Sequence, residues 1–526
     1  MKKEKKIIWL LTGIAAVSLL VLCTVVIVRT ATYPFIRTTG PDGPPRSVEP
    51  SAQAVERLAG GIRIPTVSDA IDRADDNPFQ AFKAYLPQAY PAIYSQLDTL
   101  TINEYGLVFR WPGKNPALPP ILLCSHYDVV PVLNYDPSAP DAPLPGWDYP
   151  PFSGAVADGR IYGRGTLDMK GMLFSILEAT DSLFAPAEYK ITWDLGTGKT
   201  ETTNQTYGEK LNLPAEPARK GYAFLGWFTQ ETGGTQGALK IARYFEEQGI
   251  AFDAVYDEGG IIIAPGLGGI QRTAALVGTA EKGFSTIRIT VRGTGGHSSM
   301  PPEKGSLVLA AEIIEQLNRE QMPAFLTAPV IAFLDRIGGS MGVAQRTAIA
   351  NRWLLESLLL RSFESNPATN ALVRTTTAIT MARGSDAANV LASEAEVTVN
   401  FRLLPGNTTA QVKRHVENIC NGYDVRIEEL STREPSQISP DDVHAFEMIR
   451  TSLAGLYPGT IVTPYLTLGG TDAYKYEAVS PNVYRFMPVL LTEQEQGTIH
   501  NENESISLEN YGRMIAYFRD LIRNYR

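Results

Sequence analysis

Ile121-Leu-Leu-Cys-Ser-His126-Tyr-Asp128-Val-Val-Pro131 opens with three aliphatic residues and a cysteine, then sets a histidine, a tyrosine and an aspartate behind them. The apolar run reads as a short buried strand. In open α/β sheets, ligands gather at the carboxyl ends of strands, which is where His126 and Asp128 fall. A histidine with an aspartate two residues on can hold a metal through one ring nitrogen while the carboxylate steadies the ring. A satisfied core histidine beside an ordinary aspartate fits the same stretch, so the rest of the chain must decide.

The chain begins with a lysine-rich flank, Met1 to Lys6, followed by an apolar run from Ile7 to Val28. That run has the length of a membrane span and exceeds a usual signal-peptide core. The basic flank predicts a cytoplasmic N-terminus, with everything after Arg29 outside. Residues 7–28 are therefore read as a single-pass anchor, a cleaved signal being the alternative. Residues 29–52 are read as a linker, since Thr38 to Ala52 holds four prolines and two glycines. The remainder is long enough for two domains. Cys124 and Cys420 alone lie beyond the anchor, which excludes a disulfide scaffold. A net charge of −9 with interspersed basic residues argues against nucleic-acid binding. With five histidines in the chain, each one inside a motif carries weight; His415 and His444 fall in charged helical segments and read as surface residues.

Further acids follow in suggestive settings. Asp158-Gly-Arg-Ile-Tyr-Gly-Arg-Gly-Thr-Leu-Asp168-Met-Lys-Gly171 precedes a helical segment, Met172 to Leu183. Glu231-Thr-Gly-Gly-Thr-Gln-Gly-Ala238 leads into another helix. Ala254-Val-Tyr-Asp257-Glu-Gly-Gly260 reads as a strand ending in an acid, and Thr498-Ile-His500-Asn-Glu-Asn503-Glu504 lies near the C-terminus. Together these segments resemble the aminoacylase, acetylornithine deacetylase and carboxypeptidase S family of co-catalytic zinc peptidases, closest to its carboxypeptidase S branch, which includes N-fatty-acyl-amino-acid synthase/hydrolases. The resemblance runs from about residue 53 to the end. It implies two zinc ions bridged by Asp168: His126 and Asp257 on one ion, Glu231 and His500 on the other, and Asp128 supporting His126. Nitrogen and oxygen ligands of this kind suit zinc.

Gly283 starts a different texture. Phe284 to Arg292 alternates as a half-buried strand, Gly293 to Pro302 is a glycine loop around His297, and Ser306 to Leu317 is an amphipathic helix. A further strand spans Ala395 to Arg402, and another starts at Asp424. This part resembles the family's smaller α+β domain, which implies that His297, Asn389 and Arg402 face the substrate. A histidine donor suits an oxyanion, and a guanidinium suits the carboxylate of an amino acid. Val330 to Leu360 resembles the extra helices of the carboxypeptidase S branch.

Residues 188–229 depart from the family. Tyr207-Gly-Glu-Lys-Leu, Leu213-Pro and Gly221-Tyr-Ala-Phe-Leu-Gly-Trp227 resemble a Listeria–Bacteroides repeat, a small β module. The module stands where the family has a core strand, so Tyr222 to Phe228 is expected to supply it. The same alignment puts Gln230 at the catalytic base, where an amide orients water but accepts no proton.

The expected architecture is thus an α/β zinc-peptidase core with a mixed sheet flanked by helices, over 53–281 and 432–526, with a lid over 282–431 and an inserted β module. The expected activity is hydrolysis of an amide beside an amino acid with a free carboxylate, in a small peptide or N-acyl amino acid. A zinc-binding pseudoenzyme and a surface-display protein are the alternatives. A homodimer through an exposed lid strand is a further expectation.

Overall fold

The computed structural model describes residues 2–34, 38–67, 78–113, 118–184, 188–194, 200–206, 223–228, 237–266 and 269–525, with side chains from Trp9 onward except over 188–228. The chain forms two compact units, one of residues 39–263, 440–459 and 471–526, the other of residues 1–38, 264–439 and 460–470.

In the larger unit the strand Ile121–His126 is buried at all six positions. It pairs in parallel with Ala223–Phe228 on one side and with Ala254–Ile263 on the other. Burial on both faces explains its unbroken apolar start. Leu122 and Cys124 pack with Ile241 and Phe245 of the helix Ala238–Glu247. The helix Lys170–Phe184 packs against the same strand and against Leu508–Asn524. The sheet continues through Gly106–Trp111 to Asp98–Ile102 beyond Ala223–Phe228, and through Val483–Leu491 beyond Ala254–Ile263. Antiparallel pairs at one end and parallel pairs in the middle make it mixed, with helices on both faces.

The segment expected to complete the sheet does so. Ala223–Phe228 lies between Gly106–Trp111 and Ile121–His126, and its last residue is level with His126. The preceding strands, Glu188–Asp194 and Thr200–Thr206, form a separate hairpin.

Two expectations need correction. The strand from Ala254 does not end at its acid but runs on to Ile263. Its register against Val483–Leu491 jumps from Asp257↔Arg485 to Gly260↔Phe486, so Glu258 and Gly259 form a bulge. Residues 39–50 are not a free tether, since the Arg46 N–H donates to the Leu456 carbonyl at 2.8 Å and Arg513 donates to the Arg46 carbonyl at 2.9 Å. The prolines hold this segment extended, and extended backbone lies readily along a surface.

The smaller unit contains an antiparallel sheet in the order Thr376–Arg383, Glu394–Leu403, Gly283–Arg292, Val425–Arg433. Ile287, Ile289 and Val291 alternate inward with Val397, Val399 and Phe401, and the helices Ser306–Arg319 and Thr409–Ile419 cover that face. The pair Ala274–Glu281 and Ile461–Thr467 runs parallel in the same unit. Its helices Ala328–Ile337, Val343–Ala350, Arg352–Glu364 and Pro367–Val373 bury Val330, Leu334, Ile349, Leu359 and Leu372 together. His444 is exposed, whereas His415 is half-buried on its helix.

The N-terminal helix spans Lys2–Ala31. Its stretch Trp9–Ala31, with a mean hydropathy of 2.7, is the one segment among the described residues long and apolar enough to cross a membrane.

Candidate metal centre

Strand ends and one C-terminal loop assemble the site within the larger unit. His126 is 4% exposed at the end of its strand. Its Nδ1 lies 3.0 Å from the Asp128 carbonyl oxygen. That oxygen only accepts, so Nδ1 carries a proton and Nε2 is the nitrogen left for a metal. Nε2 lies 3.1 Å from Asp168 Oδ1 and 3.6 Å from Glu258 Oε2. The other oxygen of Asp168 lies 2.7 Å from His500 Nε2. One carboxylate therefore offers an oxygen to each of two imidazoles.

Glu504 builds the loop that holds Asp168. Its fully buried carboxylate accepts the N–H groups of Gly165 at 3.0 Å, Leu167 at 2.8 Å and Asp168 at 3.1 Å, and pairs with Arg164 at 2.6 Å. Gly165 has φ +93°, and a Cβ there would meet Val129 Cγ1 at 2.7 Å, so glycine is required. The strand Ser505–Ser507 pairs with Arg160–Tyr162, which fixes the His500 loop beside the Asp168 loop. Lys170 donates to the Gly61 and Ile64 carbonyls at 3.0 and 2.7 Å, and burial pushes its pKa down to about 7.

The electrostatics are those of a crowded acidic site. Burial alone would raise Asp168, but the His126 and His500 imidazoles against its two oxygens hold it well below the usual carboxylate range. Burial opposes a charge on His126, yet Glu258, Asp128 and Asp168 around the ring lift its pKa far above normal. Glu258 is pushed well up by burial and by Asp168. Asp257 is pushed up to about 7 by burial and by Asp472. Buried acids that repel one another are stable when a cation neutralises them.

His126, Asp168 and Glu258 place one ligand atom each within 4.8 Å of one another. Among the described residues His126 Nε2 and Asp168 Oδ1 are buried and make no hydrogen bond, although they face each other. This donor set fits a divalent metal, and its nitrogen and oxygen ligands fit zinc.

The group beside His126 and Asp168 is Glu258, which sequence reading passed over in favour of its neighbour. Asp257 is 2% exposed and outside that trio. Adjacent residues on a strand face opposite ways, and the bulge at Glu258 re-aims the chain next to the site. Glu504 was also passed over as a working residue; its burial was not readable from its polar surroundings. Gln230 and Glu231 lie outside the described residues.

In the smaller unit, Gly296–His297 pairs with Val390–Leu391, and the Ser298 N–H donates to the Asn389 carbonyl at 3.1 Å. His297 and Asn389 are thus brought together, with His297 exposed and its Nδ1 2.8 Å from Ser299 Oγ. Arg402 stands elsewhere on that unit, exposed, over the Phe284 ring together with Arg433. Burial, then Arg433, lowers its pKa.

Comparison with known proteins places this geometry. The chain is 32% identical over 476 residues to an N-fatty-acyl-amino acid synthase/hydrolase of Xenopus tropicalis, covering 90% of this chain and 86% of that protein. The chain belongs to the M20 peptidase family. The M20/M25/M40 peptidase model matches residues 122–192, and the peptidase dimerisation domain matches 279–428. A probable carboxypeptidase S-like 2 of Dictyostelium discoideum is 30% identical over 479 residues, covering 90% of this chain and 85% of that protein. An M20 family metallo-carboxypeptidase from Sulfolobus solfataricus has the same fold, with a TM-score of 0.58 at 16% identity over 90% of this chain and 99% of that one. A Listeria-Bacteroides repeat domain matches residues 189–245 of this M20 chain.

Proposed function

We propose that this M20 protein is a zinc-dependent amidohydrolase that cleaves an amide beside an amino acid with a free carboxylate, in an N-acyl amino acid or a small peptide. The observation that carries the reading is Asp168, with one oxygen at each of His126 and His500. The names of the relatives, an N-fatty-acyl-amino acid synthase/hydrolase and a carboxypeptidase S-like protein, give the substrate class.

His126 and Asp168, with Glu258 or Asp257, would hold one zinc ion; Asp168, His500 and Glu231 would hold the other. Bound zinc supplies Lewis acidity and an activated water. Asp128 fixes the His126 tautomer through its carbonyl. Glu504 keeps the Asp168 loop in shape. His297 and Asn389 are assigned to the developing oxyanion, and Arg402 to the substrate carboxylate. Gln230, at the base position, orients water but takes no proton. The protein is therefore a slow hydrolase, and a zinc-binding pseudoenzyme is the second reading, favoured by Gln230 alone. The N-terminal helix serves as a membrane anchor with the units outside, and the dimerisation domain makes a homodimer.

The test is amide hydrolysis by the zinc-loaded full chain on N-acyl amino acids and dipeptides, with metal content read on each sample. Gln230→Glu is expected to raise turnover by about 10²–10⁴-fold, and His126→Ala to abolish both turnover and full zinc loading. Native protein that binds zinc but turns over only as Gln230→Glu supports the pseudoenzyme. Failure of every variant to bind zinc sinks both readings.

A further inference from the structure

The C-terminal end of the apolar helix is fixed to the smaller unit by polar contacts. Asn351, at the junction of the helices Val343–Ala350 and Arg352–Glu364, donates its amide to the Val26 carbonyl at 3.3 Å and to Thr30 Oγ1 at 3.1 Å. Arg29 donates to the Ala350 carbonyl at 3.0 Å. Tyr33 donates to Asp335 at 2.9 Å, and Asp335 also takes Arg352 at 3.0 Å.

These contacts set a depth. Trp9–Ala31 holds 23 residues. At 1.5 Å per residue it is about 34 Å long, against a hydrocarbon core of about 30 Å. Val26 lies roughly 7 Å inside its C-terminal end. If this helix crosses a membrane, the Asn351 junction sits at the margin of the hydrocarbon.

The side chains at that junction match such a setting. Trp353 is 55% exposed, Leu354 45%, Leu358 61%, and Val343 on the preceding helix 66%. At about 100° per residue, Trp353, Ser357, Arg361, Leu354 and Leu358 share an arc of roughly 140°. Leu359 lies outside that arc and is buried in the core; Glu356, exposed, also lies outside it. The next acid on the arc side, Glu364, is paired with Arg374. An apolar arc with a tryptophan and an arginine is the composition of a membrane interface.

We propose that Val343, Trp353, Leu354 and Leu358 form a second membrane contact, a bilayer-facing patch beside the anchor, with Arg361 at the level of the lipid phosphates. The occupant is a lipid bilayer because the patch is continuous with the attached apolar helix. The proposal rests on that helix being inserted, and the test reads the two separately.

The full chain is reconstituted into phosphatidylcholine and phosphatidylglycerol vesicles with brominated acyl chains, which quench tryptophan on contact. Trp9→Phe, Trp353→Phe and the double variant are compared, six tryptophans being present natively. Quenching in Trp353→Phe reports Trp9, and so the anchor. Trp9→Phe is expected to lose up to one fifth of its emission, the share of one of its five remaining tryptophans, and the double variant to lose none. Leu354→Asp with Leu358→Asp, in the Trp9→Phe background, is expected to remove that loss. No loss of emission in Trp9→Phe, as in the double variant, with Trp353→Phe still quenched, overturns the patch while sparing the anchor. Loss of quenching in Trp353→Phe overturns the anchor as well. Efficient disulfide cross-linking of Leu358→Cys between copies also overturns the patch, since a second chain would then cover it.

Discussion

Glu504 makes more contacts to the Asp168 loop than any other side chain described for it, and it touches neither imidazole. Removing it strands Arg164 and three backbone donors in the interior. Glu504→Ala is expected to cost about 3–5 kcal/mol in denaturant unfolding and to weaken zinc binding by about 10–100-fold in metal titration. Lys282 offers a pH test away from the metal. Its ammonium donates to the Ala371 and Arg374 carbonyls at 2.9 and 2.8 Å, and burial, with Arg402, pushes its pKa down to about 7. An unfolded lysine titrates near ~10.4, so between the two values the unfolded chain binds the extra proton and stability rises with pH. The stability of Lys282→Met relative to the native chain is expected to be highest at pH ~7 and to fall by about 3 kcal/mol by pH ~10. Unfolding curves at both pH values check this. His126, Asp168 and His500 stand in local motifs that single them out in the sequence, and the fold brings the three side chains together. The choice between Asp257 and Glu258 was not legible, because a strand hides its facing direction until its neighbours and bulges are known.

At the scale of elements, the strand Ala223–Phe228 holds the His126 strand in the sheet. The family resemblance demands a strand here from the inserted repeat, and Tyr222 to Phe228 is the stretch expected to supply it. The observed register, His126↔Phe228, meets that demand. What the sequence could not disclose was the separate hairpin before it, because turn signals do not say which strands pair. Leu225 is paired on both sides, with Phe109 and Leu123. A proline there removes a ladder donor in a central strand. Leu225→Pro is expected to abolish zinc binding and lower the strand signal in circular dichroism. In the smaller unit, Thr408 and Gln411 form a capping box at the helix Thr409–Ile419. Thr408→Ala is expected to cost ~1 kcal/mol in unfolding while leaving zinc content unchanged.

Across the whole molecule, each unit is built from separated stretches of chain, and this defeats simple reading of domain limits. Residues 1–38 and 460–470 belong with the smaller unit although the sequence around them gives no such sign. Contacts at long separation decide this, and they leave no periodic trace. The larger unit needs its last segment for the same reason. A chain ending at residue 497 keeps His126 and Asp168 but loses His500 and the Glu504 cradle. Its zinc content is expected to fall below half that of the full chain, read by metal analysis after gel filtration.

His500 and Asp168 meet across 332 residues of chain. At about 5–20 residues per second, a ribosome needs on the order of tens of seconds to travel between them. Throughout that interval the growing polypeptide displays a histidine and an aspartate without the second imidazole. The second imidazole arrives last of the three. A site that uses both imidazoles can close only after His500 has been made.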